Sequence, residues 1–251
     1  MIRDFIYVDN NLLDKYVEQI RNAVNEVDKK SWKMSASITG PVIESSRTTE
    51  RVALKTHEKI DLLQAVLETK GAVRHARPET TDDQNFVVNT PRFVLETMFA
   101  TKVVLPASAT NAVKGLSSVA IWISDPDPKL YSNEEYNWRG TFVYLSELHW
   151  DNGGLSHYLS GVSALQVIVN LSSGKDFFEI IEDEFEPFGR GRDLHPIDKL
   201  KDIGGIVTDK RRVKSLYRIR YLTNEQTYNY EGQKRRVNDL LGYPVYISDE
   251  S

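Results

Sequence analysis

Residues 145–161 read LSELHWDNGGLSHYLSG and hold two of the chain's five histidines around an Asn-Gly-Gly turn. In a strand, residues two apart point to the same side, so Glu147, His149 and Asp151 would project together from one strand end. The turn at Asn152-Gly153-Gly154 can bring His157 back toward them. Two imidazoles and two carboxylates suit a divalent transition metal with coordination positions left open. Without metal, a His–Asp pair can act as a general base. The simpler alternative is a polar strand end, because the spacing matches no strong metal motif such as HExxH. A divalent metal is the one cofactor the sequence suggests, and only under this reading.

A second string, Leu67-Glu68-Thr69-Lys70 with Asp61 upstream, has the E-x-K form of metal-dependent nucleases. Those enzymes carry the pair on a core strand. Here Ile60, Leu63, Val66 and Leu67 have helical spacing and Lys70-Gly71 ends it, where a lysine complements the helix dipole. The surroundings argue against a nuclease.

The third candidate is basic. In KRRVKSLYRIRY, residues 210–221, Val213, Ser215, Tyr217, Ile219 and Tyr221 alternate with Lys214, Leu216, Arg218 and Arg220. One strand face can pack on a core while the other displays cations. Arg211 and Arg212 precede it, and Lys234, Arg235 and Arg236 form another cluster. Arginine offers a planar, permanently charged fork for phosphate or carboxylate. Tyr228 and Tyr230, in the intervening TYNY, could stack on bases. In Gly189-Arg190-Gly191-Arg192-Asp193 the glycines allow close backbone approach, and Arg190 and Arg192 could grip an anion. The bland alternative is a solvated strand face paired with the acidic segment 176–186. The chain lacks a phosphate-loop sequence, a Gly-x-Ser-x-Gly elbow and a G-x-G-x-x-G after a strand.

The bulk composition allows any of these readings. The 251 residues, 40% apolar and 27% charged, suffice for one large domain or two small ones. Cysteine is absent, which excludes disulfides, thiolate catalysis and cysteine-bound zinc. No run approaches the roughly 18 apolar residues that span a bilayer, and MIRDFIYVDNN lacks the features of a signal peptide. A cytoplasmic protein without a membrane partner is expected. The net charge of −4 conceals an asymmetry. Residues 125–188 hold twelve acidic and three basic side chains, whereas 189–243 hold thirteen basic and seven acidic. Such blocks pair within the chain or between subunits of a homo-oligomer, or serve an anionic partner.

The elements that must position these residues can be read from periodicity. Residues 3–9 form a strand, and Asp9, Asn10 or Asn11 can cap a helix bearing Leu12, Leu13, Tyr16, Val17, Ile20, Val24 and Val27 on one face. Residues 31–56 suggest a hairpin and 60–71 a helix, while 74–90 lack periodicity and mark a boundary. Thr90-Pro91 has the form of a helix start, with the helix running to about Thr101. Val119 to Ile123, Phe142 to Trp150 and residues 213–222 suggest strands, as does VYI near the end. ALQVIVNL is ambiguous between strand and helix. Phe177, Ile180, Ile181 and Phe185 suggest a helix, and Pro196 to Ile203 a short one stopped by Gly204-Gly205.

The opening RDFIYVD strand and its helix resemble the start of some uncharacterised bacterial protein families that begin R-[DE]-F-[IL]-Y-[LV]-D. The likeness covers about the first twenty residues. It implies a bacterial or phage origin and an accessory role in defence, and carries no catalytic residue across.

Together these readings predict an α+β protein with a mixed or mainly antiparallel sheet and packed helices. A strand–helix–hairpin subdomain is expected over 1–85 and the main domain over 86–251. The favoured function is non-catalytic: recognition of a nucleotide, nucleic acid or acidic protein partner through the basic C-terminal region. The alternatives are a metal-dependent hydrolase or nuclease using Glu147, His149, Asp151 and His157, and a structural subunit of a complex.

Overall fold

A computed structural model describes residues 4–35, 54–78, 92–105, 116–126, 140–150, 195–202, 204–222, 226–230 and 233–250. For 24–35, 116–117, 148–150, 199, 202, 220–221, 226–230 and 233–237 the description is of the backbone. The chain divides into two compact units: Val8–Ala72, and Met1–Tyr7 together with Val73–Ser251.

The smaller unit contains helices α1 (Asn10–Ser35) and α2 (Thr56–Thr69). Asp9 caps α1, its carboxylate accepting the Leu12 N–H at 2.8 Å. Burial pushes the Asp9 carboxyl above its ordinary value, against the lowering effect of that hydrogen bond. Leu13 and Val17 on α1 are buried, as are Ile60, Leu63 and Leu67 on α2, following the helical period of the sequence. Lys59 of α2 forms an ion pair with Asp14 of α1. Helix α2 ends where expected. Gly71, at φ 59°, takes the left-handed conformation, so that its N–H and that of Ala72 reach the carbonyls of Glu68 and Leu67.

One sequence expectation in this unit is corrected. Residues 31–35, read as the start of a hairpin, continue α1 instead. Met34 and its neighbours alternate like a strand, but helix propagation from a capped first turn costs little per added residue. Residues 36–53 of that expected hairpin lie outside the described residues, and at its far end Leu54 and Lys55 form no strand but lead into α2 at Thr56.

The larger unit is built from strands β1 (Phe5–Val8), β2 (Val73–Arg74), β3 (Phe93–Val104), β4 (Leu116–Ser124), β5 (Thr141–Trp150), β6 (Ile206–Leu222), β7 (Gln226–Tyr230) and β8 (Gln233–Asp249). Helix α3 (Pro196–Asp202) precedes β6 and ends at Gly204 and Gly205 as expected. Strands β3, β4 and β5 form an antiparallel meander. Strand β8 pairs with β5 in parallel, β6 pairs antiparallel with β8, and β3 pairs antiparallel with β6. The ring β3-β4-β5-β8-β6 is thereby closed into a five-stranded barrel. β1 and β7 add to β8, and β2 adds in parallel to β3.

Closure requires long strands that bend. β6 and β8 each span 17 residues, and their pairing shifts between Leu216 and Tyr217 and between Ile219 and Tyr221. Such bulges increase the local bend and twist. Pro244, which has no N–H to give, sits at the first of them. Inside the barrel Val94, Met98, Trp122, Val143, Leu145, Val213, Tyr217, Leu240 and Ile247 form the core.

The mixture of a mainly antiparallel sheet with helices agrees with the sequence reading in outline, but the sheet closes into a barrel, which that reading did not include. The helix expected from Thr90 to Thr101 is corrected: Phe93–Val104 is a strand with alternate residues buried. Its inward series is Val94, Glu96, Met98 and Ala100, and the glutamate in that series masked the two-residue period.

Candidate functional site

The basic strand is present and longer than expected. Val213, Ser215 and Tyr217 are buried, whereas Arg211 and Arg212 are exposed and Lys214 and Arg218 are half-buried. Leu216, on the cationic face of the pattern, is buried. The cations differ in how they are used. Lys210 binds Asp125 at 2.8 Å, and Arg211 approaches Asp249 at 3.9 Å. Among the described residues, Arg212 and Lys214 have no carboxylate partner.

After Leu222, the chain forms a second basic feature. β7 and the start of β8 make a hairpin whose register sets Tyr228 opposite Arg235, Asn229 opposite Lys234 and Thr227 opposite Arg236. The structure thus brings Tyr228, Tyr230, Lys234, Arg235 and Arg236 into one two-stranded projection, described at the level of backbone. Arg220 lies on β6 just before it, likewise described by backbone alone. Arg190, Arg192 and the acidic segment 176–186 lie outside the described residues.

Of the histidine cluster, the structure describes the side chain of Glu147 alone. Glu147 points into the barrel, where one carboxylate oxygen accepts from Lys102 Nζ at 2.8 Å and the other from Trp122 Nε1 at 2.8 Å. The Lys102 ammonium also lies over the Trp122 ring, 5.5 Å from its centroid. Both oxygens therefore have protein donors. His149 is registered against Ser118 of β4, and Asp151 and His157 lie outside the described residues. Among the described residues, no group of three His, Asp or Glu side chains could hold a metal ion. Glu68 and Lys70 lie at the end of α2, and no core strand carries that pair.

Two polar clusters were not legible as such in the sequence. At one end of the barrel, Arg77 is buried and donates to Glu96 at 3.2 Å, to the Ser124 hydroxyl at 2.8 Å and to the carbonyls of Asp125 and Thr141, each at 3.1 Å. Tyr217 donates its hydroxyl to the other Glu96 oxygen at 2.7 Å. Arg77 falls in the aperiodic stretch read as a boundary, which hid it. The second cluster surrounds Asp125. Burial alone would raise its carboxyl, but hydrogen bonds from His195 and Lys210 outweigh this and lower it to about 2. His195 Nδ1 accepts the Ile197 N–H at 3.2 Å, so Nε2 carries the proton it gives to Asp125 at 3.0 Å. Both ring nitrogens are thus occupied in holding the start of α3.

The outer face of β4 and β5 is filled. Val119, Ile121, Ile123, Phe142 and Tyr144 are all buried. Phe142 packs edge-on against His195, and the Tyr144 hydroxyl donates to buried Asp239 at 2.8 Å. By contrast, Phe99 on the outer face of β3 is 60% exposed.

No helix among the described residues is long and apolar enough to cross a membrane. Comparisons with protein-family models, with curated proteins and with solved structures each found no match.

Proposed function

We propose that this chain is a non-catalytic binding protein that recognises nucleic acid through β6 and the β7–β8 hairpin. The observation that carries the reading is the position of that hairpin. Counted along the chain, β3, β4, β5, β6 and β8 are strands one to five, and around the barrel they are ordered one-two-three-five-four, with the third and fifth parallel. This is the connectivity of the OB barrel, in which the loops after strands one and four are used to bind oligonucleotides or oligosaccharides. The hairpin is the connection after strand four, and it carries two tyrosines and three consecutive cations.

Residue chemistry favours nucleic acid within that choice, since a barrel alone fixes no function. From Lys210 to Arg236 there are nine cations against Glu225 and Glu231. Cations that track a phosphate backbone, interleaved with aromatic side chains that stack on bases, are the features of such binders. The opening strand, through its resemblance, supports an accessory role in bacterial or phage defence.

The test is a salt series with labelled single- and double-stranded oligonucleotides, using wild type and a Lys234→Ala/Arg235→Ala/Arg236→Ala variant. Binding should weaken steeply with salt, and the variant should flatten the single-strand slope by about 2, at about 0.7 per lost phosphate contact. Absence of binding by the wild type at low salt would overturn the reading. An acidic protein partner would then be sought by pull-down.

A further inference from the structure

In an antiparallel pair, residues directly opposite one another share a face, with Cβ atoms roughly 5 Å apart. On the outer face formed by β3 and β6, Phe99 is opposite Arg212 and Thr97 is opposite Lys214. The two pairs are two residues apart, or roughly 7 Å along the strand. Phe99 is 60% exposed, while Met98 and Ala100 beside it face the core. A lone exposed phenylalanine needs no explanation. This one lies beside two cations with no carboxylate partner among the described residues, whereas neighbouring Lys210 and Arg211 are engaged by Asp125 and Asp249.

Two further observations direct a ligand to this face. The outer surface of strands two and three, which receives oligonucleotides in other barrels of this connectivity, is here occupied by buried Ile121, Ile123, Phe142 and Tyr144. In addition, Arg212 and Lys214 lie on β6, the strand whose far end leads into the basic hairpin, with buried Leu216 between them and Arg218.

We propose that this face is a base-stacking step for single-stranded nucleic acid: Phe99 stacks on a nucleobase while Arg212 and Lys214 hold the adjoining phosphates. The proposal rests on the nucleic-acid reading above and narrows its ligand to single strands. Only an unpaired base can leave its own stack to lie on a protein aromatic ring without melting a duplex.

The experiment measures binding of a labelled oligo(dT) of about 20 nucleotides, longer than the ~4–16 that one such barrel covers. Wild type is compared with Phe99→Ala, Phe99→Trp and Arg212→Ala/Lys214→Ala, with inorganic polyphosphate as an anion that has no bases. Because Phe99 is exposed, its replacement leaves the core intact, which circular dichroism checks. Phe99→Ala should weaken oligo(dT) binding by roughly 5- to 100-fold, Phe99→Trp should retain it, and polyphosphate binding should be equal in all three. The double variant should lower the salt slope by about 1.4. Wild-type affinity for oligo(dT) in Phe99→Ala, an equal loss toward polyphosphate, or tighter binding of duplex would overturn the stacking step and leave the hairpin reading standing. A wild type that binds no oligonucleotide would overturn both.

Discussion

Arg77 and Glu96 form a buried ion pair at one end of the barrel, with Nε 3.2 Å from Oε2. The second Glu96 oxygen is bound by the Tyr217 hydroxyl, and the remaining guanidinium donors reach the ends of β4 and β5. Arg77 thereby ties together three of the five barrel strands, and Glu96 adds β6 through Tyr217. Removing one partner of such a pair strands a charge without water. Arg77→Met is expected to destabilise the protein by roughly 3–5 kcal/mol, whereas Arg77→Met/Glu96→Met should cost less than the sum of the single changes. Urea unfolding of the three variants checks this, and strict additivity would show the two residues to be independent.

At the other end, Glu147 is held by Lys102 and Trp122. Glu147→Ala leaves the buried indole N–H without its acceptor and should cost roughly 3 kcal/mol. Trp122 fluorescence should shift with it. Glu147→Gln keeps an acceptor for the indole and should cost less. Thermal unfolding with divalent ions gives a second check. A stabilisation by metal that Glu147→Gln abolishes would place this carboxylate in a metal site.

Asp125 gives the protein an acid-sensitive contact. Its carboxyl is lowered to about 2 from 3.8 in the folded state, so its contribution is complete above the unfolded value and is lost as pH falls through the folded one. After allowance for solvent screening of a partly exposed side chain, the contribution is roughly 1 kcal/mol. Urea midpoints measured between about pH 2 and 5 should fall less steeply for Asp125→Asn than for wild type. Parallel curves would assign the acid sensitivity to other carboxylates.

Gly242 lies where β8 passes Tyr217 and Leu145. A Cβ there would come within 2.6 Å of Tyr217 Cδ2 and 2.8 Å of Leu145 Cδ2. Gly242→Ala should therefore overpack the barrel and cost roughly 1–3 kcal/mol. A Leu145→Ala background should absorb part of that cost, and a double-mutant cycle in urea measures the relief.

The sequence by itself determined what depends on neighbours along the chain. A cap at Asp9, Asn10 or Asn11 starts α1, with the structure selecting Asp9; apolar spacing fixes α2, Gly71 and Gly204 end α2 and α3, and alternation from Val213 to Tyr217 gives β6 its buried and basic faces. Each of these follows from a local hydrogen bond, a φ angle or a period of two or 3.6. Tertiary structure decided what depends on pairing between distant strands. Glu96 disguised β3 because its inward place is tolerable only once Arg77 and Tyr217 arrive from elsewhere in the chain. Glu147 receives its donors, Lys102 and Trp122, from two other strands, which its own strand pattern could not show. Closure of the ring, exposure of Phe99 and its alignment with Arg212 likewise arise from register across β3 and β6, which no local pattern encodes.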